Sequence, residues 1–117
     1  VCIFTQSHRQ IAARGIVRFF PGTVRVDQGR YPDIDEIIAA AQSACLAYLK
    51  QEILFEGETV EVSMGFLELV RKKGYSMLHL LTEAEYQAGL RTLENALRNG
   101  SIQARSPGET LVWFTKQ

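Results

Sequence analysis

Glycine-rich loops are missing from this sequence. Its nine glycines stand at positions 15, 22, 29, 57, 65, 74, 89, 100 and 108, no two closer than seven residues. Neither a G-x-G-x-x-G turn nor a P-loop can be drawn, so no glycine cluster cradles a nucleotide phosphate. Cysteine is scarce. Cys2 and Cys45 are too few for a disulfide scaffold and point to a reducing, cytoplasmic location. With His8 and His79 they lie scattered, without a C-x-x-C or H-x-x-x-H pair, so no metal site is expected. No G-x-S-x-G elbow offers a serine nucleophile. No apolar run approaches the ~20 residues of a membrane helix. No basic-then-apolar leader opens the chain. The first residue is Val1 rather than an initiator Met, and a preceding segment is expected.

What is present is ordinary for a folded domain. The 117 residues are 46% hydrophobic and 22% charged, enough for one domain or part of one. Net charge is zero, yet unevenly spread. Residues 1–32 carry five arginines against Asp27 alone, a net +4. Residues 33–70 carry eight acids against Lys50, a net −7, and residues 71–117 return +3. A zero total disfavours a nucleic-acid partner, whose binding rests on phosphate neutralisation. The front arginines read as a local basic patch or, more plainly, as a solvated helix face.

Val1–Phe4 reads as a strand buried on both faces. Thr5-Gln6-Ser7 ends it and caps a helix to about Phe19, with a stripe of Ile11, Ala12, Gly15, Ile16 and Phe19 and with Arg14 and Arg18 opposite. Pro21-Gly22 stops that helix, and Thr23–Val26 alternates like a short strand or extended loop. After the turn Gly29-Arg30-Tyr31-Pro32, Asp33 caps a second helix with Ile34, Ile37, Ile38, Ala41 and Cys45 on one face. Leu49–Phe55 reads as a strand that Glu56-Gly57-Glu58 bends and Thr59–Val62 extends. Ser63 opens a third helix that Gly74 stops, and Tyr75–Leu81 holds a single helical turn. Thr82–Glu85 is a capping box for a fourth helix ending at Asn99-Gly100. Ser101–Arg105 and Thr110–Thr115 read as a strand, a turn and a strand.

In order, several segments resemble one family. They are Val1–Phe4 running into Thr5-Gln6-Ser7-His8, then Phe19-Phe20-Pro21, Arg30-Tyr31-Pro32-Asp33 and Ala44-Cys45-Leu46. Later come Gly74–Leu78, Leu80–Tyr86 and the closing Leu111–Lys116. Together they are similar to the C-terminal half of a class I S-adenosylmethionine-dependent methyltransferase of the small-molecule type. The resemblance implies an α/β fold, the C-terminal part of a Rossmann-like sheet with a helical cap insertion. Residues 1–62 and 101–117 would form the strand–helix core and residues 63–100 the substrate cap. It implies Val1–Phe4 beside Thr110–Thr115, antiparallel, with Leu49–Phe55 on the other side of the latter. Where the family has a glycine ending the helix, this chain has Cys45, so either a non-glycine residue takes the left-handed cap or the helix ends differently. The half bearing the cofactor loop is absent. This chain alone is therefore expected neither to bind S-adenosylmethionine nor to turn over, and the expected macromolecular partner is the missing N-terminal half or a second copy paired edge to edge.

The candidate site lies where ligands gather in open α/β sheets, at the carboxyl end of a strand. Thr5, Gln6, Ser7 and His8 stand there as substrate contacts, with His8 the candidate base. Capping explains at least one of them. Phe20 and Tyr75 are candidate pocket aromatics, with core packing as the plainer role. Arg30 suits an acidic group on the substrate, or a simple pairing with Asp27. Two other functions fit the element order. One is a winged-helix module, with Thr82–Asn99 as recognition helix and the two last strands as wing. The other is a non-catalytic α+β interaction module.

Overall fold

The computed structural model describes residues 1–117, the whole sequence. Short apolar stretches alternate with capped helices: β1 (Cys2–Thr5), α1 (His8–Ala12), α2 (Gly22–Arg30), α3 (Ile34–Ser43), β2 (Leu46–Leu54), β3 (Thr59–Val62), α4 (Met64–Arg71), α5 (Glu83–Leu97), β4 (Ile102–Arg105) and β5 (Glu109–Lys116). Two 3-10 turns, Gly15–Arg18 and Ser76–Leu80, complete them. The result is a small α+β fold with two antiparallel sheets.

The larger sheet has the order β1-β5-β2, with β5 antiparallel to both neighbours. β1 and β2 therefore run parallel to each other. Alternation along β5 puts Thr110, Val112 and Phe114 on one buried face. There α3 covers the sheet, and its Ile34, Ile37 and Ala41 form a small core with Val112 and Phe114. Asp33 caps α3 by accepting from the Ile34 amide at 2.9 Å. At the other end Cys45 takes φ +62°, the left-handed cap that glycine usually supplies. Leu49 is left without a partner in the β2–β5 ladder, a one-residue bulge.

The second lobe is built around α4 and α5. Its core includes Ile16, Phe19, Phe20, Leu67, Val70, Leu78, Tyr86 and Leu93. The β3–β4 ribbon lies on it through Val62, Ile102 and Ala104. Thr82 and Glu85 form the expected capping box, and the Arg25 guanidinium holds Glu85 from outside. Gly89 is required by close approach, because a Cβ there would stand 2.3 Å from the Phe20 ring.

Several local expectations are corrected. β1 is not buried on both faces: Phe4 is 57% exposed and Val1 65%. The helix expected to run to Phe19 ends at Ala12, because Arg14 turns extended and sends its side chain to Asp27 and Gln6. Ile16 and Phe19 consequently pack in the second lobe, not against the sheet. Thr23–Val26 is helical. Pro21 opens α2 rather than ending a helix, since its fixed φ suits a first turn. Thr23 and Asp27, four residues apart, are its buried residues, a helical period that the β-branched run concealed. Thr59–Val62 does not extend β2 but pairs with β4 in a sheet of its own. β4 therefore forms no hairpin with β5, and the wing of a winged helix is absent. The second lobe also takes in side chains from residues 15–30 and from both strands of the ribbon.

Candidate functional site

Between the lobes lies an open cleft of about 820 Å³. Gln6, just past β1, and Glu109 line its sheet side. The ribbon contributes Glu61, Val62 and Arg105, and the second lobe Phe66, Tyr75, Ser76 and Met77. Arg14, Asp27, Arg30 and Tyr31 form the remaining wall.

Asp27 organises that wall. Helix α2 buries its carboxylate at 2% exposure, where an unpaired charge would be costly. Two guanidiniums pair with it. Arg14 donates from Nη1 to Oδ2, while Arg30 donates from Nη2 and Nε to Oδ1 at 2.6 and 3.1 Å. The hydrogen bond to Asp27 holds the Arg30 pKa above its ordinary value. Each arginine has a second anchor. Arg14 Nε donates to Gln6 Oε1 at 2.6 Å, and Gln6 Nε2 donates to the Gly108 carbonyl. Arg30 Nη2 also donates to Ser76 Oγ at 3.0 Å. The Arg30 guanidinium stands 5.3 Å over the Tyr31 ring. One buried carboxylate thus fixes two cations and leaves a surplus of one positive charge in the wall.

The expected site residues divide. Gln6, Arg30 and Tyr75 line the cleft. Thr5 lines a smaller adjoining hollow with Gln6, Arg14 and Tyr31. Ser7 is used as the α1 cap, accepting from the Gln10 amide, while Gln10 Oε1 accepts from the Ser7 amide. His8 does not reach the cleft. Its Nε2 lies 2.7 Å from the Tyr31 carbonyl, which can only accept, so Nε2 carries a proton and is engaged. The His8 backbone amide donates to Asp33, which also receives the Ile34 amide; these two bonds lower the Asp33 pKa. Phe20 is a correction. It is 1% exposed, stacked on Tyr86 in the core, and lines neither the cleft nor the adjoining hollow.

Arg14 is the part of the cleft wall that the sequence reading missed, and Asp27 was foreseen only as a partner of Arg30. Arg14 reads as a solvated helix arginine only while the helix continues past Ala12. A signal was present: Asp27 is the lone acid among five arginines and stands three residues before Arg30. No three His, Cys, Asp or Glu side chains converge as metal ligands. No family model, curated protein or solved structure matches the chain.

Proposed function

We propose that this chain is the acceptor-binding part of an S-adenosylmethionine-dependent methyltransferase that acts on a small molecule. The observation that carries this reading is the sheet order. A final strand inserted antiparallel between two parallel neighbours is what the resemblance implies for the end of a class I methyltransferase sheet, and β5 stands so between β1 and β2. The cleft adds support. It opens beside Gln6, past the carboxyl end of β1, and the α4–α5 lobe overhangs it as a substrate cap would.

The residues of this chain do not fit the cofactor. No glycine loop approaches the cleft, and no step through the cofactor is derived. The cofactor strands belong to another segment in this reading, the missing N-terminal half, which would lie along the free edge of β1. What these residues do is orient. Methyl transfer from a sulfonium demands in-line placement of the acceptor more than it demands a triad. The arginine pair, braced by Gln6 and Ser76, supplies a fixed polar wall for that purpose. His8 does not line the cleft, and no base role is assigned to it.

The test is calorimetric titration with S-adenosylhomocysteine of two proteins: the 117-residue chain and the polypeptide encoded by its complete reading frame. The expected result is micromolar binding by the latter and none by the former. Absence of binding by the complete polypeptide overturns the proposal, as does tight binding by the 117-residue chain alone.

A further inference from the structure

The cleft wall bears more donors than its internal partners use. A guanidinium carries five N–H groups. Arg14 commits two, to Gln6 and Asp27, and Arg30 commits three, to Asp27 and Ser76. Both Nη2 hydrogens of Arg14 and both Nη1 hydrogens of Arg30 have no protein acceptor. Both side chains are partly open, at 24% and 30% exposure, and both line the cleft. Asp27 is spent on both guanidiniums, so the pair retains one net positive charge.

We infer that the cleft binds a monocarboxylate with a flat apolar body, the carboxylate seated on Arg14 and Arg30. This rests on reading the cleft as the acceptor site and names the class of its acceptor. Guanidinium forks match the two oxygens of a carboxylate, and the bond is charge-assisted on both sides. Charge selects against a phosphate ester. The surplus is one unit, and Glu61 and Glu109 also face the cleft, opposed there only by Arg105. A dianion would meet both acids with one unit unmatched. Phe66 and Tyr75, with ring centroids 5.8 Å apart, and Tyr31 beside Arg30 offer aromatic surface for the body of the ligand. The volume lies within the usual range for organic ligands.

The experiment is a titration of the 117-residue chain with 2-naphthoate, followed by the Nε–Hε NMR signals of Arg14 and Arg30. The uncharged 2-naphthalenemethanol and the dianionic 2-naphthyl phosphate are titrated in parallel. Expected is saturable binding of the carboxylate with shifts at both arginine signals, at least tenfold tighter than either companion. Arg14→Lys, which keeps the charge but not the fork, is expected to weaken naphthoate at least fivefold and to leave the alcohol unchanged. Naphthoate binding no tighter than the alcohol overturns the inference, as does a tighter phosphate, or no binding at all. None of these outcomes alters the cofactor titration, so failure of the acceptor class is separable from failure of the methyltransferase reading.

Discussion

Asp27 decides the chemistry of the cleft through two arginines that would otherwise repel each other. Asp27→Asn keeps the shape and removes the charge. Breaking a buried ion pair costs several kcal/mol, but both arginines are partly solvated, so a loss of about 2 kcal/mol is expected, with a fall of roughly 10 °C in Tm. Urea unfolding measures it, and an unchanged midpoint contradicts the role given to Asp27. Glu85 is a second charge with a defined partner. Its hydrogen bond from Arg25, followed by the Thr82 amide, lowers its pKa from 4.5 to about 2. A lowered carboxylate stabilises the fold above its unfolded pKa and loses that contribution as pH falls through the folded value. The Tm difference between wild type and Glu85→Gln should therefore be largest above pH 5, shrink as pH falls and be lost only below about pH 2. A difference independent of pH contradicts the pairing. At this scale the sequence was partly legible. Pairing of Arg30 with Asp27 followed from spacing, whereas Arg14 depended on a helix end that Ala12 and Ala13 do not advertise.

Elements with explicit punctuation were readable in advance. Ser7, Asp33 and Thr82 all cap the helices expected of them, because a short polar side chain ahead of an apolar period has a defined backbone task. Helix α2 was not readable. Its Thr-Val-Arg-Val run favours a strand locally, and only burial of Thr23 and Asp27 against the rest of the molecule overrides it. Helix ends also show where the sequence departs from the cheapest solution. Cys45 is exposed and left-handed after α3, and the half-buried Lys73 is left-handed after α4, where the Gly74 amide bonds the Leu69 carbonyl. Cys45→Gly should raise stability by about 0.5–1 kcal/mol in chemical denaturation, since no packing is lost. A lowered midpoint contradicts the left-handed cap. Gly89→Ala should do the reverse. Alanine ordinarily favours a helix by about 1 kcal/mol over glycine, but the Phe20 ring and the Phe19 carbonyl occupy the space for its methyl. A net loss of about 2 kcal/mol is expected from overpacking, and a stabilised variant contradicts the close approach of α5 to Phe20.

The molecule as a whole is long for its length. Its Cα radius of gyration is 16.6 Å, against roughly 13 Å for a compact chain of this size. Two modest cores, one per lobe, and a cleft between them account for the excess. The partition into lobes was not legible, because β3 follows β2 directly in sequence and only long-range pairing with β4 removes it from the larger sheet. The sheet ends on β1, paired on one side alone, with Val1 and Phe4 open to solvent. Such an edge is a template for another strand. Light scattering of the isolated chain should show mass rising with concentration, and a constant monomer mass contradicts edge pairing between copies. Hydrogen exchange of the β1 amides tests most directly whether that edge belongs inside a larger sheet. In the isolated chain at low concentration the Cys2–Thr5 peptide should exchange rapidly. In the polypeptide encoded by the complete reading frame it should be protected at least a hundredfold, and further with S-adenosylhomocysteine bound. Equal exchange in both proteins, or strong protection of β1 in an isolated monomer, would contradict the assignment of this chain to the acceptor side of a methyltransferase.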